Sequence, residues 1–381
     1  MTESAARWYV DESAVEARVA KLIDGHLVAL KIIPHVMPAL ARPQVGDIYL
    51  SRVSKAVSTM DGLFVDLGEG GEGFVRSREK RSEGELVVAR VVQSAYGSKR
   101  TVLKPEKMDR SANKGERHAM RISKPLSADD YVLRHLKQGE ALVVDYDRPW
   151  CGPEAEFSKP GLFEREGLEA QIEATLEPVT QLKGGGRLVI EQTEALTAID
   201  VDVGSAARSS EINFEAAGEI PFQIAARGLA GNIIVDFARI SDAGALAPLK
   251  ERIAAKARAI GINLQIGMAS RTGLLELQRT RSEPPLAALL TQARLTHCAV
   301  PRRFSMMAQA ARLARGVRIA SAQKAGALDL HVSGELREWL ELGEGRAAWD
   351  AIRAASSAPL HLHFGMLDDT LSIETRERSA P

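Results

Sequence analysis

Short runs in which apolar and polar residues alternate dominate the first third of the chain. Between Val45 and about Lys104 the runs "DIYLSRV", "GLFVDLG", "GEGFVRS", "GELVVARVVQS" and "RTVL" carry the two-residue period of half-buried strands. Glycine-rich turns, "GEGGEG" the clearest, separate them. Short strands broken in this way predict a small β-barrel of the OB type. The charged stretch Lys104 to Asp130 that follows has little periodicity and reads as a linker or a loop-rich surface.

Beyond it the period changes repeatedly. "YVLRHLKQ" is helical, "EALVVDY" is a strand and "CGPEAEFSKPG" is a loop, and Phe163 to Leu182 has helical apolar spacing interrupted at Pro178. Three glycines at 184–186, a strand, a turn at Thr193 and Glu194 and a second strand predict a β-hairpin. The helix "EINFEAAGEIPFQIAAR" contains Pro221, which predicts a kink or a split there, and Gly228 is its natural stop. The strand "GNIIVDF", reaching Asp236, the helix Leu246 to Ala259 and the strand "NLQIGMA" complete the order of an open α/β sheet. Such sheets hold ligands at the carboxyl ends of their strands. From about Pro284 Ala/Leu-rich helical text leads into an α+β pattern of one strand, two helices and two strands.

Composition narrows the function classes. Lys+Arg and Asp+Glu balance at 50 each, so any surface for a polyanion is a local patch. No apolar run approaches the roughly 20 residues of a membrane span, and the first residues lack the basic start and apolar core of a signal peptide, which predicts a cytoplasmic protein. Cys151 and Cys298 are the only cysteines and lack CxxC spacing, giving neither a disulfide framework nor a recognisable zinc site.

The candidate chemistry lies in "LTAIDVDVG", residues 196–204. Strand alternation sends Ile199, Val201 and Val203 to one face and Asp200 and Asp202 to the other, while Asp236 closes the next strand in chain order. If the two strands are neighbours, all three acids meet at one end of the sheet. Three carboxylates with no obvious nucleophile beside them suit a hydrated Mg²⁺ or Mn²⁺, and with it metal-assisted hydrolysis of a phosphodiester. The residues alone fit equally a solvated Asp202 and a loop-capping Asp236. In the barrel, Phe64 and Phe74 lie ten residues apart across a glycine turn, and Lys99 and Arg100 follow. Stacking aromatics beside cations make a single-strand binding surface, although core packing is the commoner use of two Phe in a small barrel. His361 and His363 alternate on a strand and read as packing or solvent-facing residues, and "QLKGGGRL" lacks the Lys-Ser/Thr ending of a phosphate loop.

From Gly185 to Arg281 the chain resembles the bacterial ribonuclease E/G family. "EALTAIDVDVG" is similar to the family's Glu-Ala-Leu-Thr-Ala-Ile-Asp strand, "NFEAAGEIPFQIAARGLAGNIIVDF" follows its next run without a gap, and "ASRTGLLELQRTR" resembles its Ser-Arg-x-Gly-Leu segment. Weaker likeness extends over "VAKLIDGHLVALKI", the barrel strands and Leu328 to Thr375. The resemblance implies an endoribonuclease that cuts single-stranded RNA with Mg²⁺, leaving a 5′-phosphate and a 3′-hydroxyl. It implies a multidomain α/β and α+β fold: an RNase H-like domain (1–43 and 104–176) with an inserted S1 barrel (44–103), a DNase I-like catalytic domain (177–283) and a small α+β C-terminal domain (284–381). The family's metal-binding aspartates fall on Asp200 and Asp236, its S1 aromatics on Phe64 and Phe74 and its S1 lysine on Lys99; Arg271, Arg279 and Arg281 are the matched cations for the RNA backbone.

Three departures accompany the match. Asp202 stands where the family usually has Asn. "SEPPLAALLTQARLTHC" replaces the Cys-Pro-x-Cys zinc link, so no structural zinc is expected and the assembly is a monomer or weak dimer. Only Lys104 to Lys124 occupies the place of the domain that senses a 5′-monophosphate, which predicts cleavage independent of the 5′ end. A paralogue retaining RNA binding without turnover stays open as the competing reading, and Asp202 and the missing domains favour it; a DNA-directed nuclease is a weaker third.

Overall fold

A computed structural model describes residues 6–36, 43–57, 59, 61–77, 79, 81–107, 118–145, 150–204, 208–240, 243–293, 302–323, 326–366 and 370–376. Cys298 and residues 108–117 of the expected sensor remnant lie outside them. Two compact units emerge, one of residues 37–127 with 281–284, the other of 1–36, 128–280 and 285–381. Among the described residues no helix is long and apolar enough to cross a membrane.

In the smaller unit all five expected strands form: Ile48–Val57, Gly62–Asp66, Glu72–Arg76, Leu86–Gln93 and Thr101–Pro105. Gly62–Asp66 pairs with both Glu72–Arg76 and Ile48–Val57, and the remaining pairings close the barrel. Its interior is filled by alternate residues, among them Val53, Leu63, Val65, Val75, Val91 and Leu103. Met120–Arg121 adds a short strand to Ile48–Val57, so part of the stretch read as linker is bound into the sheet.

Three larger sheets build the other unit. The first runs Glu156–Phe157, Ala141–Asp145, Ala6–Glu12, Glu16–Ile23, His26–Pro34, with the first three strands parallel and the last three antiparallel. Glu156–Phe157 is thus a short strand inside the expected loop. The second runs Val179–Gln181, Arg187–Gln192, Leu196–Asp202, Gly231–Asp236, Leu275–Arg279, Gln265–Ala269. The third pairs Ala327–Val332 with Leu360–Phe364 and Ser372–Arg376, packed on helices Met306–Ala322, Gly334–Glu341 and Arg346–Ala355.

Two helical expectations are corrected. The 163–182 stretch is two helices, Leu162–Arg165 and Leu168–Leu176, followed by strand after Pro178, because Gly167 adopts a left-handed φ of 68° between the helices. Helix Ser209–Ala226, by contrast, passes through Pro221 unsplit. Proline deprives the Ala217 carbonyl of its helical donor, yet Ile212, Ala216, Ile220 and Ile224 on either side are buried against the sheet and hold the helix together.

A buried ion cluster ties the first sheet to helix Met306–Ala322. Arg18 bonds Asp11 (2.6 Å) and also Glu169, Arg315 reaches Glu16 (2.9 Å), and Arg318 reaches Asp145 (2.6 Å) and the Glu12 carbonyl (2.6 Å). The Asp145 side chain is fully buried, and its second oxygen accepts the Leu162 amide at 3.1 Å. Burial pushes this carboxyl up to about 6 against the pull of Arg318. Its folded pKa therefore lies above the ordinary value of about 3.9, so its contribution to stability is full below that value and is lost as pH rises through about 6. Arg318→Met leaves a buried carboxylate unpaired and is expected to cost about 3–5 kcal/mol at about pH 8. The cost should shrink at about pH 5, where Asp145 is free to take up a proton. Urea unfolding at both values checks this, and equal costs would count against the pairing.

Candidate functional site

Leu196–Asp202 and Gly231–Asp236 are hydrogen-bonded neighbours, parallel, with Asp200 directly opposite Asp236. Parallel neighbours require a crossover connection, and helix Ser209–Ala226 supplies it, ending where Gly228 turns left-handed and Leu229 N–H bonds back to the Ile224 carbonyl (2.9 Å). Ile199, Val201, Ile233 and Val235 point into the core beneath. Asp200 and Asp236 therefore emerge together on the opposite face, both exposed, at the carboxyl end of the parallel pair.

Asp202 has a different environment. Its Oδ1 accepts the Gly204 amide (2.9 Å), and its Oδ2 accepts the Nε–H of Arg187 (2.9 Å), whose Nη2 lies 2.8 Å from the same oxygen as an ion pair. Arg187 faces Asp202 directly across the hairpin. Sequence reading missed this partner, although counting outward from the Thr193–Leu196 closure pairs the two positions. The Gly204 amide, with Arg187 second, holds the Asp202 carboxyl below the usual range. Asp200 shifts the other way: partial burial raises it, the Asp236 and Asp202 charges raise it further, and Arg187 opposes them.

The matched arginines separate. Arg271 is exposed in the turn joining Gln265–Ala269 to Leu275–Arg279, and because Leu275 pairs with Val235 this turn lies at the aspartate end of the sheet. Arg279 lies opposite Gly231, at the other end. Its Nη1 donates to the carbonyls of Ile224 (3.1 Å) and Leu229 (3.0 Å), and burial lowers its pKa. It closes the end of the crossover helix and does not join the aspartates. Arg281 falls in the smaller unit.

Among the described residues no three His, Cys, Asp or Glu side chains are grouped closely enough to hold a metal. Two adjacent carboxylates suit a cation such as Mg²⁺ nonetheless, since that ion keeps several waters and takes substrate phosphate oxygens.

In the barrel, Leu63, Val65 and Val75 point inward, while Phe64 and Phe74 stand on the outer face as a direct cross-strand pair, rings edge to face at 5.3 Å. Gly62 makes room for them, because a Cβ there would meet the Phe74 ring at 2.1 Å. The Arg100 guanidinium lies over Phe64 at 5.4 Å from its centroid. Lys99 is exposed in the turn just before it. Lys55, which the sequence reading did not single out, is the residue opposite Phe64 on the other neighbouring strand.

Residues 151–282 match the profile of the Ribonuclease E/G family. This segment is similar to ribonuclease E/G sequence. It is 37% identical over 132 residues to Ribonuclease E of Escherichia coli (strain K12), covering 33% of this chain and 12% of that protein. Ribonuclease E of Nostoc sp. (strain PCC 7120) is 34% identical over 37% of this chain and 20% of its own length. The Ribonuclease E/G-like protein, chloroplastic, of Arabidopsis thaliana is 31% identical over 34% of this chain and 14% of its own. The chain thus spans a minor part of each relative, and the matched part contains Asp200, Asp202, Asp236 and Arg187 but not the barrel.

Within the matched segment one further residue holds the chain beside Asp236 in place. Asn213 on the crossover helix is buried and bonds both backbone groups of Ala238, donating from Nδ2 to the carbonyl (2.8 Å) and accepting the amide at Oδ1 (3.1 Å). That clamp fixes the chain just beyond Asp236. Asn213→Ala leaves buried backbone polar groups unsatisfied and should lower the unfolding free energy by about 1–3 kcal/mol in urea titration; a change under about 0.5 kcal/mol would argue against the clamp.

Proposed function

We propose that the protein is an endoribonuclease that hydrolyses single-stranded RNA with a divalent cation, Mg²⁺ or in its place Mn²⁺, held by Asp200 and Asp236. The observation that carries this reading is the parallel register that sets these two exposed carboxylates opposite each other inside the ribonuclease E/G segment. The cation would polarise the phosphoryl group and activate water. Hydrolysis adds water to phosphorus as the bond to the 3′-oxygen breaks, leaving a 3′-hydroxyl and a 5′-phosphate. In this reading Asp200 and Asp236 would hold the cation where it meets the scissile phosphate, and Arg271, at the same end of the sheet, draws in the RNA backbone. Phe64 and Phe74 offer the barrel's stacking surface to unpaired bases, with Lys55, Lys99 and Arg100 meeting phosphates.

The remaining assignments belong to the same proposal. The first sheet has three antiparallel strands followed by parallel additions beside the first, which supports the RNase H-like assignment, and the closed barrel supports the S1 assignment. We also propose cleavage independent of the 5′ end and an assembly without a zinc link.

Cleavage of labelled single-stranded RNA with and without Mg²⁺ tests the reading. Asp200→Asn and Asp236→Asn are expected to lose roughly 10²-fold or more in rate while keeping RNA affinity; equal, metal-independent cleavage by wild type and variants would falsify it. Phe64→Ala and Phe74→Ala should instead weaken RNA binding by about 1–3 kcal/mol each, read by fluorescence anisotropy. Unchanged affinity in both would remove the barrel face from the proposal.

A further inference from the structure

Asp202 lies beside the two aspartates without joining them, since among the described residues no three such side chains are grouped closely enough to hold a metal. It sits two residues beyond Asp200 on the same face of one strand, about 6.6 Å along it, a separation that two carboxylates can bridge to one cation. Both its oxygens are instead engaged, Oδ1 by the Gly204 amide and Oδ2 by two nitrogens of Arg187. A carboxylate oxygen that already accepts a charge-assisted hydrogen bond within an ion pair is a poor ligand until that pairing is broken. On the hairpin side Asp200 faces Val189, which offers no charge, so Arg187 is the cation across the hairpin from this acidic strand end.

We propose that Arg187 is a positioning residue that holds Asp202 out of the cation site, so that Asp200 and Asp236 form a two-carboxylate centre in a chain that encodes three. This inference rests on the reading of Asp200 and Asp236 as cation ligands and adds the device that sets how tightly they bind. Two carboxylates leave most of the coordination sphere to water and to phosphate oxygens; a third would tighten the bare site and leave less room for the RNA. Asp202, with its charge matched by Arg187, thereby serves as a fixed support for the Gly204 turn.

The test is Mn²⁺ binding to the full chain without RNA, followed by electron paramagnetic resonance of the free ion, with thermal melting to show that each variant is folded. Arg187 is half-exposed at a strand start, so Arg187→Met is expected to fold. It should bind Mn²⁺ roughly tenfold tighter than wild type as Asp202 is released to join the site. The double variant Arg187→Met/Asp202→Asn, which has the same net charge as wild type, should return to the wild-type affinity. Unchanged or weaker binding in Arg187→Met would overturn the inference. So would tightening that persists in the double variant, since Asp202 would then not be its source. Asp200→Asn separates this inference from the reading beneath it: if that variant binds Mn²⁺ as wild type does, the two-aspartate centre itself is wrong. If it loses binding while Arg187→Met gains none, only the role of Arg187 falls.

Discussion

Everything at the candidate site depends on one pairing, the parallel register that sets Asp200 beside Asp236. Side chains alternate along a strand, so a slip of one residue in either strand would turn its carboxylate into the core and its Ile199 or Val235 out of it. Burial of those two with Val201 and Ile233 thus specifies the register, and the aspartates are carried to the surface by the residues they alternate with. The surrounding devices serve the same pairing. Helix Ser209–Ala226 spans the crossover, Gly228 and Arg279 finish it at one end, and Asn213 fastens the loop leaving Asp236 at the other.

Elements were legible where a pattern is local. The barrel strands, the 187–202 hairpin and the last strand-helix-helix-strand-strand segment read directly from period and turn residues, because neighbours along the chain decide them. Adjacency of the Asp200 and Asp236 strands could only be posed as a condition, since strand order follows from how the helices cover the sheet. Phe64 shows another limit. "LFVDL" is apolar enough that alternation divides it into two faces without saying which is inside, and the closed barrel decides by burying Leu63 and Val65. Arg271 and Arg279 stand in one short segment and look equivalent there, yet an antiparallel strand between them carries them to opposite ends of the sheet. Pro221 leaves the helix in one element, because the burial on both sides of it outweighs the proline's local cost.

Charge is handled in two ways within a chain whose total is neutral. At the candidate site the two facing carboxylates are exposed, where water makes their mutual repulsion tolerable, and the neighbour that would add a third charge carries its own arginine. In the ion cluster Asp11, Glu16 and Asp145 are buried, and each has a guanidinium within hydrogen-bond distance. Removing a partner has opposite meanings in the two places. In the interior it strands a charge; at the site it releases a ligand.

The ion cluster also sets an order in time. Glu16 and Arg315, joined by a hydrogen bond, are separated by 299 positions, and Asp145 waits 173 positions for Arg318. A ribosome releases the chain from its amino end at about 5–20 residues per second. Asp11 finds Arg18 within the first strands, but Glu16 leaves the tunnel without Arg315 and remains so while the barrel and the aspartate sheet are being made. Contacts that distant slow folding through the entropy of closing so long a loop. The nascent amino-terminal sheet is thus an unfinished surface until helix Met306–Ala322 has emerged.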